Sequence, residues 1–262
     1  MRTYQREKIY ISGPYMDVAI YPVFRKSTAS RRIRSKPTSE VQKRLNERNS
    51  IKKLGRLINT NFTENDLKVE LTYRDPFNPG CDEDAFRDLN NFLRRIRYYR
   101  KVNNLDELKY VVTTEKGSKK GRYHHHLVIN GGIDVKTLKD IWGKGIIKAS
   151  PLIFNEHGVA DLAAYMAKQQ LSYRRYKASR NLKQPKMIER DGRLSTRKIK
   201  QLSTVDSANP VEWNKIYPGY QFIESRSFYN GHNNSTYLEA YFVKIPEDAY
   251  KKQYKRRSKK DG

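Results

Sequence analysis

Apolar residues alternate in some stretches of this chain and recur at helical spacing in others, and the changes of period divide it into elements. Lys8–Ser12 and Asp17–Phe24 are apolar runs joined by Ser12-Gly13-Pro14, which is turn chemistry, and they predict a hairpin. Thr38 to Ile58 has helix-compatible spacing. Within Phe62–Asp75, Leu67, Val69 and Leu71 alternate with polar residues, predicting a strand that Asp75-Pro76 and Asn78-Pro79-Gly80 end. Asp82–Lys101 predicts a helix, with Ala85, Leu89, Phe92, Ile96 and Tyr99 as its apolar stripe. Arg87, Arg94, Arg95 and Arg97 fall on its opposite face, and Asp82–Asp84 suit its N-terminal dipole. Leu108–Glu115 and Tyr123–Asn130 predict a second hairpin around the turn-rich Lys116–Gly121. A short helix at Val135–Trp142, a strand within Gly145–Phe154 and a helix at Gly158–Leu171 follow, the last with Val159, Leu162, Ala163 and Met166 inward. Residues 186–248 read as mixed strand and loop rich in aromatics, and Lys251–Lys260 as a basic, disordered tail.

The central order is strand, helix, strand, strand, short helix, strand, helix. It predicts an α+β fold, an antiparallel sheet with helices packed on one face and the other face free for substrate, with basic N- and C-terminal extensions. The division expected is a basic N-terminal region at 1–60, a central domain at 61–190, its C-terminal extension at 191–250 and the tail at 251–262.

Charge narrows the partner. The 262 residues hold 54 Lys and Arg against 28 Asp and Glu, a formal net charge of +26. Solubility alone rarely needs more than about 8 net charges on a small domain, so a polyanion is implied, and nucleic acid is the commonest. No apolar run is long enough to span or anchor in a membrane, which excludes a membrane partner on this reading. The 19 Tyr, 9 Phe and 2 Trp, mixed with cations, suit single-stranded nucleic acid, where bases stack on rings and phosphates meet Lys or Arg. Residues 25–57 are strongly basic and read as an arm on nucleic acid, with a solvated surface helix as the alternative. The single cysteine, Cys81, excludes a disulfide framework and a multi-cysteine zinc site. Met1–Lys8 carries no signal-peptide pattern, so cytoplasmic residence in a bacterial host cell is expected.

Three of the five histidines stand together as His124, His125 and His126. On a strand, His124 and His126 share one face and His125 points to the other, toward the helix layer. Two imidazoles about 7 Å apart on a sheet can share one metal ion. Glu115, near the hairpin turn on the preceding strand, completes a set suited to Mg²⁺ or Mn²⁺, with Asp134 as a weaker substitute. Bound there, such an ion would polarise a phosphate oxygen. On the later helix Tyr165 and Lys168 share a face, with Asp161 one turn earlier. A neutral phenol is a poor nucleophile; a nearby ammonium and a metal-bound phosphate favour the phenolate.

Leu67-Lys68-Val69-Glu70-Leu71-Thr72-Tyr73, Arg122-Tyr123-His124-His125-His126-Leu127-Val128-Ile129 and Tyr165-Met166-Ala167-Lys168 occur in that order, followed by Ser179-Arg180-Asn181-Leu182. Together they resemble the HUH endonucleases, most of all the rolling-circle replication initiators of phages, plasmids and mobile elements. The resemblance covers roughly residues 60–190. It implies a ferredoxin-like or RRM-like core, a divalent metal at His124, His126 and Glu115, and Tyr165 as a nucleophile that nicks and joins single-stranded or hairpin origin DNA through a 5′-phosphotyrosine. Lys168 would balance charge, and Thr72, Tyr73, Arg122, Arg174, Arg175 and Arg180 would contact nucleic acid. The family pattern has a bulky apolar residue between its metal histidines; here His125 stands in that place, and strand alternation favours His124 with His126. Some relatives carry two catalytic tyrosines on the helix; here Tyr173 and Tyr176 lie beyond its expected end.

No Gly-x-x-x-x-Gly-Lys-Ser/Thr phosphate loop occurs, so a host helicase and DNA polymerase are the partners implied. The alternatives are a non-catalytic single-strand binding protein, a relaxase or transposase of the same chemistry, and a hydrolase that activates water at the metal.

Overall fold

The computed structural model describes residues 3–24, 40–117, 121–167, 176–204, 210–231 and 234–248. It is α+β, with two five-stranded antiparallel sheets. The chain divides into two compact units, one of Thr38–Gln184 and one of Met1–Pro37 with Pro185–Gly262. No helix among the described residues is long and apolar enough to cross a membrane.

The Thr38–Gln184 unit holds α1 (Glu40–Asn61), β3 (Leu67–Thr72), α2 (Asp82–Val102), β4 (Tyr110–Lys116), β5 (Tyr123–Ile129), α3 (Val135–Trp142), β6 (Ile147–Pro151), α4 (Ala160–Ala167) and β7 (Lys177–Ala178). Its sheet runs β6-β3-β5-β4-β7. The central strand β5 pairs Leu71 with His125 on one side and Thr114 with His125 on the other. Directly paired residues share a face. One face therefore carries Val69, Leu71, Val112, Leu127 and Ile129, which pack with Leu89, Phe92, Leu93 and Ile96 of α2 and Leu138 and Trp142 of α3. The expected stripe of α2 is this buried stripe, and Asp82, Glu83 and Asp84 occupy its first turn.

The sequence pattern predicts helices on that one side only. A second helical layer covers part of the opposite face: Leu54, Leu57 and Ile58 of α1 and Ala163 and Met166 of α4 pack with Val111 and Val128. The alternation of those strands continues beyond this patch into polar residues, which the helices leave open. Residues 40–57 are thus a packed helix rather than the nucleic-acid arm expected of them, because their buried leucines and isoleucine outweigh the cationic exterior. The rest of that arm, 25–39, lies outside the described residues.

The second unit contains the expected N-terminal hairpin, β1 (Thr3–Ser12) and β2 (Tyr15–Phe24), turned at Gly13. Its sheet is completed from far along the chain by β8 (Lys186–Asp191), β9 (Tyr220–Asn230) and β10 (Ser235–Lys244), in the order β8-β1-β2-β10-β9. Two short helices, α5 (Thr196–Leu202) and α6 (Pro210–Ile216), supply Ile199, Leu202 and Trp213 to a core with Ile9, Val18, Ile20, Leu238 and Phe242. The buried Glu7 carboxylate accepts from Arg193 at 2.9 and 3.0 Å and from the Tyr217 hydroxyl, so its charge is met inside that core. The boundaries 1–60, 61–190 and 191–250 differ from these units: the hairpin and residues 185–262 share one unit, and α1 belongs to the other. The tail at 251–262 lies outside the described residues.

Leu127 is fully buried in the centre of the β3-β5-β4 sheet. Leu127→Ala is expected to lower the unfolding free energy by about 2–5 kcal/mol, measured by denaturant titration of the whole chain.

Candidate active site

β5 divides its histidines between two environments. His125 is fully buried on the helix-covered face. One of its ring nitrogens lies 2.9 Å from the Tyr73 hydroxyl and the other 2.8 Å from the Thr114 hydroxyl, with the Trp142 ring edge-on at 5.9 Å. Both nitrogens are satisfied by neutral partners. Burial, then the neighbouring His126 and His124, lowers its pKa to about 3.

His124 and His126 look the other way. Their rings are parallel, 6.5 Å apart between centroids. His126 Nε2 is 3.0 Å from Glu115 Oε1, and His124 Nδ1 is 3.9 Å from Glu70 Oε1. The Tyr165 ring stands edge-on to His126 at 5.0 Å. Lys68 Nζ lies 5.0 Å from the centre of the same tyrosine ring. Tyr165 is 47 % exposed, so its phenol is open to solvent while one side of the ring rests on the site. Tyr165, His126, His124 and Glu115 are therefore brought together at the polar end of the face that α1 and α4 only partly cover. Partial burial, then Glu70 and Glu115, raises the Tyr165 pKa.

Glu70 and Lys68 join this site without having been singled out by the sequence motifs. A signal for them is present: Lys68, Glu70 and Thr72 are the polar half of the alternation whose apolar half is Leu67, Val69 and Leu71. Which polar residues meet across strands depends on register, and β3 pairs Glu70 with His126 and Thr72 with His124.

Tyr165 owes its position to how α4 begins. The Val159 amide donates to Asn59 Oδ1 of α1 at 3.1 Å. Gly158 has φ +67°, and a Cβ there would lie 2.4 Å from Asn59 Nδ2, so no larger residue fits. One turn further in, Gly55 approaches Ala163, its Cβ position 3.5 Å away, which lets the two helices pack closely.

The other expected site residues separate. Tyr73, expected on the DNA path, is 2 % exposed and hydrogen-bonded to His125. It is a core residue, because the alternation that turns Val69 and Leu71 inward turns Tyr73 inward as well. Thr72 is half-buried and bonds Ile146 at the sheet edge. Arg122 donates to Asp75 at 2.5 Å, so its charge is already paired. Arg180 is exposed. Asp134 caps α3, accepting from the Thr137 amide at 2.9 Å and hydroxyl at 2.6 Å, and is committed to that turn rather than to the histidines. Tyr176 packs against the core beside α1 and α4. Lys168, Tyr173, Arg174 and Arg175 lie outside the described residues.

Among the described residues, no three His, Cys, Asp or Glu side chains already converge on one point as a formed metal cage. The donor chemistry nonetheless fits a divalent ion. Two imidazoles and two carboxylates, as His126–Glu115 and His124–Glu70, are a nitrogen–oxygen set of the kind that holds Mg²⁺ or Mn²⁺. His126 Nδ1 is buried without a hydrogen-bond partner, so this imidazole is held by Glu115 alone. Two carboxylates facing a phenol oppose its ionisation, and a cation among them reverses that field.

Residues 66–170 match the family model for the replication-associated protein ORF2. The match supports a role in replication. It runs from the start of β3 past the end of α4, and so encloses Lys68, Glu70, Glu115, the three histidines and Tyr165. No curated protein and no solved structure matches the chain.

Two substitutions probe this geometry. Gly158→Ala is expected to cost about 1–3 kcal/mol of stability and to displace Tyr165, read by thermal unfolding and by the Tyr165 ring resonances. The other concerns pH. A histidine whose folded pKa lies below the unfolded value of about 6.5 binds its proton preferentially when unfolded. The contribution of neutral His125 is therefore complete above about pH 6.5 and is lost as pH falls toward about 3. Between about pH 5 and 6.5, where most carboxylates stay ionised, His125→Gln is expected to show a shallower fall in stability with acid than the parent chain, measured by denaturant titration at each pH.

Proposed function

We propose that the chain initiates replication by nicking and rejoining single-stranded origin DNA, with Tyr165 as the nucleophile. The observation that carries this reading is the contact of the Tyr165 ring with His126, itself 3.0 Å from Glu115, on an open polar sheet face. The similarity of residues 66–170 to replication-associated proteins supports it independently, as does the net charge of +26.

His124, His126, Glu115 and Glu70 would hold a divalent cation, Mg²⁺ or Mn²⁺. Bound there, it would supply Lewis-acid polarisation of the scissile phosphate. The Tyr165 phenol gives up its proton, and its oxygen attacks phosphorus. The tyrosine O–P bond forms, the P–O3′ bond breaks, and the departing oxygen takes a proton to become a free 3′-hydroxyl. The 5′-phosphate remains on the tyrosine. Joining is the reverse reaction, in which a 3′-hydroxyl displaces Tyr165 and the diester is remade without an external energy source. Lys68, beside the tyrosine ring, favours the phenolate and the bridging phosphate electrostatically; Lys168 is the second cation proposed for that task. His125 and Tyr73 serve by holding β5 rigid from behind. Exposed cations, Arg180 among them, would add salt-sensitive, sequence-independent affinity. A separate helicase and polymerase would unwind and extend the DNA.

The experiment is to incubate the full chain with labelled single-stranded DNA and Mg²⁺ or Mn²⁺ and look for a complex that survives denaturation. The parent chain is expected to form it, and to lose it with chelator. Tyr165→Phe should bind the same DNA within about two-fold, since one hydroxyl contributes little to a phosphate-dominated interface, and form no adduct. An undiminished adduct in Tyr165→Phe assigns the nucleophile elsewhere, and cleavage that leaves no protein on DNA points to an activated water.

A further inference from the structure

Beside Tyr165 a cleft of about 340 Å³ opens along the β6 edge of the sheet. That is near the lower end of ligand clefts, about 300–1,000 Å³, and gives room for one nucleotide rather than a duplex. Its walls are of three kinds. Leu152, Leu162 and Ile153 are apolar. Ile153 is 86 % exposed, an unusual place for an isoleucine with nothing laid over it. Lys68 lines the cleft at the end where it meets the Tyr165 ring. Asp161 and Asn155 line it too, joined by an Asn155 Nδ2 to Asp161 Oδ2 bond of 3.3 Å. Asn155 Oδ1 already accepts from the His157 amide at 2.8 Å, so the amide group is fixed and presents Asp161 as the acceptor of the pair.

A carboxylate is a poor neighbour for a phosphate and a good one for the N–H edge of a base. We propose that this cleft is the subsite for one unpaired nucleobase next to the scissile phosphate, and that it prefers guanine. The base stacks on Leu152, Ile153 and Leu162. Its edge donates to Asp161. Lys68 meets the phosphate between that nucleotide and the one Tyr165 attacks. Guanine is selected because it alone sets two adjacent N–H donors, N1–H and the exocyclic amine, toward a single carboxylate. Adenine and cytosine pair one donor with a ring acceptor that Asp161 repels, and thymine offers one donor between two acceptors. The subsite rests on the strand-transfer reading for the identity of its ligand, and it adds the step that reading lacks, a source of sequence preference at the cut.

The test uses the full chain, a divalent cation and single-stranded oligonucleotides carrying a mapped cleavage site. Each nucleotide flanking the cut is replaced in turn by an abasic sugar or by each other base, and the rate of adduct formation is measured. One flanking position is expected at which guanine is preferred and the abasic sugar is slower by about ten-fold or more, the scale of one lost stacking contact. Asp161→Asn should erase the guanine preference there, and Ile153→Ala should narrow the gap between base and abasic sugar. Adducts that form with no such position, or with a preference that both variants leave intact, overturn the subsite while the nicking reading stands. Should no adduct form with any oligonucleotide, the nicking reading fails and binding decides the subsite. A fluorescent guanine analogue scanned along the DNA bound to Tyr165→Phe would be quenched at one position in an Asp161-dependent way if the cleft holds a base, and at none if it does not.

Discussion

The pairing of β5 on both edges is the constraint on which the site depends. Its seven residues are held by β3 on one side and β4 on the other, and a slip of one residue would exchange its faces. The buried side prevents that slip. Leu127 and Ile129 belong to the α2 and α3 core, and His125 can be buried there because Tyr73 and Thr114 satisfy both ring nitrogens. With that face fixed, His124 and His126 have one direction left. The polar site is thus set by packing on the side of the sheet that carries no chemistry.

α4 follows the same logic from the opposite side. Asn59 caps the helix from α1, Gly158 allows the close approach, and Gly55 against Ala163 sets the spacing. These contacts put a phenol above His126 in a protein of net charge +26, yet the groups nearest that phenol include two carboxylates. Local negative charge inside a basic molecule, grouped with two imidazoles, has a direct physical reading as a place for a cation. It also explains why the bare site holds Tyr165 protonated, with its reactivity tied to what binds beside it.

Much of the Thr38–Gln184 unit is legible in the sequence because its elements carry clean periods. The alternation of β3 and β5, the apolar stripe of α2 and the boundaries of α3 all follow from local pattern. So do the opposed directions of His124 and His125. Tyr73 is legible too, against the DNA-path role first expected of it: it continues the inward series of Val69 and Leu71. Glu70 and Lys68 need the register between strands, which no local pattern contains. α1 is obscured by its cations, which mask the stripe of Leu54, Leu57 and Ile58. In the other unit, the pairing of β2 with β10 joins residues roughly two hundred positions apart, beyond the reach of local patterning. α5 and α6 have seven residues each, about two turns, too few to express a helical period among many aromatics.

The most direct measurement is the nitrogen coupling seen by pulsed electron paramagnetic resonance of Mn²⁺ bound to the full chain without DNA. Coupling from two imidazole nitrogens is expected, reduced to one in His124→Ala and in His126→Ala and unchanged in a folded His125→Gln. Bound Mn²⁺ with no imidazole coupling, or with coupling that depends on His125, would contradict a cation held between His124 and His126.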